Sequence, residues 1–211
     1  MGGMQFLKNN KWVLSFVLLL PVFLFSFDQT AILWVRDLHT HNVDLSAALK
    51  YIDRFINVIA HGSTLIGTAF LLYIIGRRYN QRLYEIGRSL FIGLVSAGIA
   101  VQVLKHLIGR ARPRITDASL FIGPSLKNGY DSFPSGHTTL AFSLAVILSY
   151  HLPRYWALFY LFGIIVGLWR IEVLAHFPSD VLGGAIVGTI VGSIVLKRMY
   201  CAQEEHHAEK Q

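Results

Sequence analysis

The chain is short of cysteine and of charge. Among its 211 residues there is one cysteine, Cys201, which lies in a polar tail, so no internal disulfide forms and thiol chemistry is not the mechanism. Charged residues make up 15% against 54% hydrophobic, a balance too apolar for a soluble domain of this length. A signal-peptidase site is also missing: the first apolar run ends in Phe25-Ser26-Phe27-Asp28-Gln29 with no small-x-small pattern, so it reads as an uncleaved span. No repeat, low-complexity tract, soluble domain or nucleic-acid-binding pattern is found. The formal net charge of +7 instead fits the basic loops of a multi-pass membrane protein, with no nucleic acid as partner.

What is present is a series of six apolar stretches near membrane length: Lys11 to Phe27, Phe55 to Gly76, Ile86 to Ile108, His137 to Leu152, Tyr155 to Ala175 and Val181 to Leu196. The expected fold is therefore all-α, an integral membrane six-transmembrane-helix bundle forming one domain over residues 1–211, with a frayed polar tail at 201–211 that carries His206-His207. Lys8 and Lys11, then Arg77, Arg78 and Arg82, then Arg154, then Lys197 and Arg198 fall on one side of such a bundle. The positive-inside tendency makes that side cytoplasmic and places both termini there, in an inner (plasma) membrane. Between the first two spans, Ala31 to Arg54 has mixed helical spacing and suits either an amphipathic helix on the bilayer surface or a helical hairpin capping the bundle.

Ionisable groups beside hydrocarbon are costly and read as functional. Lys105, Arg112, His137, Arg170, His176 and Asp180 all fall at the outer, periplasmic or extracellular, ends of spans. Three cations and two imidazoles with one carboxylate attract an anion, and phosphate is the natural one. On a continued helix Lys105 and Arg112 share a face about 10 Å apart along the axis, with Pro113 ending the helix. Pro134-Ser135-Gly136-His137 opens the fourth span, with Ser135 as N-cap and Gly136 allowing close approach to first-turn amides, which favour anions. His137 beside them could protonate a departing oxygen. Asp180 at the start of the sixth span can accept a hydrogen bond from His176 and so free the other imidazole nitrogen to act as nucleophile or base. Zinc held by His106, His137 and His176 is disfavoured by the nearby cations. Gly184, Gly188 and Gly192 line one face of the sixth span and suit close helix packing within the chain; oligomeric state is left open.

Lys105-x6-Arg112-Pro113, Pro134-Ser135-Gly136-His137 and Arg170-x5-His176-x3-Asp180 together resemble the three-part signature of the type 2 phosphatidic acid phosphatase superfamily, over residues 105–184. Trp169 stands where that family commonly has Ser. The resemblance implies a phosphatase acting on a membrane lipid phosphate or pyrophosphate, without metal or other cofactor. It implies that His176 attacks phosphorus, Asp180 supports it and His137 protonates the leaving oxygen. Lys105, Arg112, Arg170, Ser135 and the Gly136 amide would hold the phosphate oxygens. Undecaprenyl pyrophosphate, phosphatidylglycerol phosphate, phosphatidic acid and the 1-phosphate of lipid A are the substrates it suggests. A phosphotransferase using the same intermediate and a non-catalytic lipid-binding or transport protein are the alternatives, the latter weakened because these charges gather at one boundary.

Overall fold

A computed structural model describes residues 11–116 and 118–201; Lys8 and the tail with its His206-His207 pair lie outside them. Among the described residues seven helices follow in order: α1 (Lys11–His41), α2 (Val43–Ala60), α3 (Gly62–Tyr79), α4 (Gln81–Ile108), α5 (Gly136–His151), α6 (Trp156–Glu172) and α7 (Pro178–Leu196). A 3-10 turn at Pro153–Tyr155 precedes α6, and a π turn at Lys197–Cys201 follows α7. Among the described residues there is no strand, only an isolated bridge between Arg110 and Phe121.

The helix limits follow from local chemistry. Asn80 separates α3 from α4: its amide donates to Gly76 O at 2.9 Å, and its side-chain oxygen accepts from Leu83 N at 3.0 Å. Gly109 ends α4 in the left-handed conformation at φ 60°, donating to Lys105 O. Pro178, whose missing N–H costs nothing at a first turn, opens α7.

Close crossings hold the bundle together. A Cβ on Gly76 would stand 2.2 Å from Tyr84 N and one on Gly87 2.3 Å from Tyr73 N, so α3 and α4 touch through backbone. The predicted glycine face of α7 meets α5: added Cβ atoms would lie 2.6 Å from Ser135 O at Gly184 and 2.2 Å from Thr139 O at Gly188. Ala69, Leu90, Leu94, Ala97, Leu140 and Ile147 form the core between α3, α4 and α5. Ile99, Val103, Leu161, Leu168, Ile186 and Ile190 point outward and are exposed. Apolar on the outside as well as the inside, such a bundle is solvated by lipid.

Among the described residues, three segments are long and apolar enough to cross a membrane: Gln81–Ile108, Pro153–Glu172 and Pro178–Tyr200. A fourth forms if Tyr51–Ala60 and Gly62–Tyr79, bent by 43° at His61, count as one broken span. The sequence pattern suggested six. One reason for the difference is α5, whose 16 residues rise only about 24 Å; the side chains of residues 11–25 in the expected first span lie outside the described set. The stretch from Ala31 onward is not a separate surface helix. It continues α1 as far as His41, and a break at Asn42 leads into α2.

Candidate active site

The α4–α5 loop, residues 109–135, folds over one end of the bundle and is pinned on several sides. Within it, Ala111 N donates to Leu120 O at 2.8 Å, Arg112 N to Gly129 O at 2.9 Å and Ser132 N to Arg110 O at 3.0 Å. Arg36 of α1 donates to Pro113 O, and Arg114 donates to Val173 O at 3.1 Å in the α6–α7 connection.

Lys105 and Arg112 do converge, by a route the helical spacing did not foresee. Gly109 ends α4 before Arg112, so Arg112 comes from the loop rather than from a continued helix. Both cations reach Asp131. Lys105 Nζ donates to Asp131 O at 2.7 Å and lies 3.7 Å from its Oδ2, while Arg112 donates to both carboxylate oxygens, through Nε at 2.9 Å and through Nη2. Burial alone would raise the Asp131 carboxyl, but the Arg112 hydrogen bonds and the charges of Arg112 and Lys105 hold it below its usual range. An internal carboxylate thus takes the fork-and-ammonium contacts a phosphate would make.

Ser135 takes the N-cap position of α5, yet its buried hydroxyl makes no cap bond and instead accepts from Thr138 Oγ1 at 2.9 Å. Its amide donates to Asp180 O at 2.9 Å, tying the starts of α5 and α7 together. The first-turn amides of α5 are therefore left for a ligand. A Cβ on Gly136 would meet nothing nearer than Lys105 Cε at 3.7 Å, so packing does not require glycine there; open approach to the backbone is the remaining use. His137 Nε2 lies 3.1 Å from Asn57 Oδ1 of α2, and its ring stands edge-on to His61 with centroids 6.0 Å apart. Arg170, His176 and Lys105 all lie close enough to act on His137 electrostatically. Arg170 Nε is buried and has no hydrogen-bond partner among the described residues.

His176 sits in the α6–α7 connection, where Ala175 N and His176 N both donate to Arg170 O at 3.1 Å. The turn is made by Leu174 in the left-handed region at φ 55°, a conformation a branched residue adopts only when its surroundings impose it. His176 is buried, 1% exposed. Burial pushes its pKa down to about 4, partly opposed by Asp180 and reinforced by Lys105 and Arg170, so the imidazole is neutral at physiological pH. Its Nδ1 lies 3.7 Å from Asp180 Oδ2, within ion-pair range but too far for the expected hydrogen bond. The reason is that Asp180 already accepts from Arg110 Nη1, from Ser132 Oγ at 2.6 Å and from Phe177 N at 2.8 Å.

Arg110 is not among the charges that the sequence pattern singled out. It is fully buried, donates to Asp28 Oδ2 at 2.6 Å, to Ser179 Oγ at 2.7 Å and to Asp180, and stacks 4.2 Å over the Phe177 ring. Asp28, also fully buried, accepts from Ser179 N at 2.9 Å. A carboxylate–guanidinium–carboxylate chain thus links α1, the loop and α7 directly behind His176. The sequence signal was available, since Asp28 ends an apolar run just as the chosen charges do. Asp131, Ser132 and Ser179 carried no such signal. The indole N–H of Trp169 donates to Asp53 Oδ1 of α2 at 2.7 Å.

Beside the recess runs a cleft of about 630 Å³ whose apolar walls include Ile66, Val95, Ile99 and Leu140, and whose lining also includes Lys105, Gly136 and His137. His106 faces Ser125 O instead, Nδ1 at 3.2 Å, and among the described residues no three His, Cys, Asp or Glu side chains converge as a metal ion requires.

A lipid-solvated helical bundle with a cationic recess at a helix N-terminus, two imidazoles beside it and an apolar cleft next to it defines an integral membrane protein whose recess attracts an anion. Sequence comparison makes this more specific: the chain belongs to the PAP2 superfamily, whose family model matches residues 86–203. It is 34% identical over 170 residues to a lipid A 1-phosphatase of Rhizobium johnstonii, covering 72% of this chain and 70% of that protein. It is 25% identical over 167 residues to the undecaprenyl-diphosphatase BcrC of Bacillus subtilis, covering 77% and 79%. The crystal structure of Aquifex aeolicus LpxE superposes with a TM-score of 0.52 at 30% identity, covering 70% of this chain and 86% of that one. The chain is a hydrolase of the phosphatase class.

Proposed function

We propose that this phosphatase removes a phosphoryl group from a membrane lipid phosphate or pyrophosphate through a phosphohistidine, without a metal ion. The observation that carries the lipid assignment is the apolar cleft ending on Lys105, Gly136 and His137: an acyl or prenyl chain fits the walls and its phosphate reaches the cations. Lys105, Arg112 and Arg170 with the Ser135 and Gly136 end of α5 hold the phosphate oxygens and offset charge on the transferring group. Neutral His176 turns Nδ1 toward Asp180, which leaves Nε2 for phosphorus. As the nitrogen–phosphorus bond forms, the bond from phosphorus to the lipid oxygen breaks, and His137, which takes up a proton once the anionic phosphate is bound beside it, gives that oxygen its proton. Water then gives a proton to His137 and attacks phosphorus, the nitrogen–phosphorus bond breaks, and inorganic phosphate leaves. Asp180 offsets the positive charge that builds on His176, held in place by Arg110 and Ser132.

The same reading takes residues 1–211 as one domain with six crossings of the inner membrane, both termini cytoplasmic and the recess on the outer side. The short α5 starts below the bilayer boundary because its N-terminus is covered by the loop and the α6–α7 connection.

The test is phosphate release by the purified protein from undecaprenyl pyrophosphate, phosphatidylglycerol phosphate, phosphatidic acid and a lipid A-type 1-phosphate, with and without chelator. Turnover of at least one substrate that survives chelation, with no acceptor added, is expected. His176→Ala should lose turnover by about a millionfold while still binding lipid, and brief acid-free quenching of the wild type should trap label on His176. Chelator-sensitive turnover, or full activity of His176→Ala, overturns the mechanism.

A further inference from the structure

In the apolar run from Phe55 to Ala60 at the end of α2, Asn57 is the one polar side chain. Its neighbours Phe55, Val58 and Ile59 are exposed on the outside of the bundle, where an amide without a partner is costly. The partner is His137, whose Nε2 lies 3.1 Å from Asn57 Oδ1. The contact is not left to chance, because one face of α2 is anchored on both sides of it. Asp53, Asn57 and Ala60 are four and three residues apart and share that face. Asp53 Oδ1 accepts the indole N–H of Trp169 on α6, and fully buried Ala60 clusters with Ala141 of α5 and Val166 of α6.

An amide oxygen only accepts, so this hydrogen bond requires a proton on His137 Nε2 and decides the tautomer. The neutral ring then carries its lone pair on Nδ1, and a second proton is taken up and given back there. The groups that act electrostatically on His137 are the cations Arg170 and Lys105 and the imidazoles of His61 and His176. His61 stands edge-on to the ring, and its Nδ1 is engaged by Ser63 Oγ at 2.8 Å. None of these four side chains has an oxygen to offer an imidazolium. Asn57 has one, and such a bond is stronger to the protonated ring than to the neutral one, the more so where water is sparse.

Resting on the phosphatase reading above, we infer that Asn57 is the positioning residue of the general acid: it holds the His137 ring by Nε2–H, supports the imidazolium that forms when phosphate binds, and assigns delivery of the proton to Nδ1. As the bond from phosphorus to the lipid oxygen breaks, Nδ1 gives that oxygen its proton and the ring returns to the neutral Nε2–H tautomer. The acid thus depends on a helix outside the stretch 105–184 that holds the other site residues.

Asn57→Leu and Asn57→Asp, made in the full chain in detergent, test this with two substrates. One is the lipid phosphate that the wild type turns over best; the other is nitrophenyl phosphate, whose phenolate leaves without a proton. The saturated rate of the first turnover is read as release of the leaving group, with enzyme in excess. Asn57→Leu should lower it about tenfold for the lipid, part of the about hundredfold or more that a positioned acid contributes, and by less than about twofold for nitrophenyl phosphate. The ratio of the two rates does not depend on how much of a variant is folded. In the pH profile for the lipid, the alkaline limb marks loss of the His137 proton in the complex. It should move to lower pH in Asn57→Leu and about one unit higher in Asn57→Asp, where a carboxylate faces the ring. Equal losses on both substrates would mean that Asn57 only braces α2, and limbs that stay in place or move together would mean that it does not act on the His137 proton; either result overturns the proposal. Wild-type turnover of a lipid phosphate that Asn57→Leu leaves unchanged removes this role alone and keeps the phosphatase reading. If the wild type releases phosphate from no lipid, both fail.

Discussion

Asp131 is the residue whose consequence is easiest to isolate. Its carboxylate bridges Lys105 and Arg112 through contacts a phosphate oxygen would otherwise take, and it stays ionised at neutral pH because those cations hold its pKa down. Phosphate must therefore compete with an internal anion. Asp131→Asn keeps the shape and removes the charge, so inorganic phosphate or vanadate should inhibit severalfold more tightly and KM should fall, as measured by inhibition constants at fixed ionic strength. Weaker inhibition would mean instead that the carboxylate is needed to aim Arg112. His176 gives a prediction of opposite character. Its folded pKa, about 4, lies below the ordinary 6.5, so as pH falls the unfolded chain takes the proton first. The contribution of the neutral imidazole is complete above pH 6.5 and is lost as pH drops toward 4, up to roughly 3 kcal/mol. Thermal unfolding in detergent between pH 7 and pH 4.5 should fall more steeply for the wild type than for His176→Asn; parallel slopes would show that the imidazole does not titrate in this way.

At the scale of elements, the contact between α5 and α7 decides whether the two halves of the site meet. α5 brings Gly136 and His137, α7 brings Asp180, and the glycines of α7 let them touch through backbone. Gly188→Ala places a methyl 2.2 Å from Thr139 O, where only helix separation gives relief. A loss of about 1–3 kcal/mol, with activity falling in step, is expected from thermal unfolding and turnover. Gly67→Ala on α3, where an added methyl meets nothing within 4 Å, is the control and should be neutral or gain about 0.5–1 kcal/mol. An equal effect of the two would remove this account of the crossing. The glycine face was legible in sequence because a period of four on an apolar run has few other uses. The helix cores were legible for a similar reason, hydropathy being a sum over many residues. What could not be read was the path between helices. Gly109 taking the left-handed turn, rather than Pro113, decides where α4 stops, and α1 running through to His41 depends on contacts such as Arg36 to Pro113 and His39 to Glu172, which join residues far apart in the chain.

Over the whole molecule, polarity divides the two ends. One end gathers Arg77, Arg78, Arg82, Arg154, Lys197 and Arg198, and the meeting of His151 with Ser89 at 2.8 Å and of Tyr150 with Tyr200 at 5.0 Å shows that the end of α5, the first turns of α4 and the turn after α7 come together there. The other end holds the recess, with the buried chain Asp28, Arg110 and Asp180 behind it. That chain escaped the sequence reading because an ion pair has no local pattern: Asp28 and Arg110 are 82 positions apart, and only the closed bundle makes them neighbours. Lys and Arg in short loops are retained on the cytoplasmic side, so the recess should face outward. Cys201, the sole cysteine, makes this testable with little alteration. A membrane-impermeant maleimide should label Asn128→Cys in a Cys201→Ser background when applied to right-side-out vesicles, and should label native Cys201 only in inverted ones. Six crossings require these two sites on opposite faces. Labelling of both from the same face would mean an odd number of crossings between residues 128 and 201 has been replaced by an even one, and the expected topology would have to be redrawn around α5.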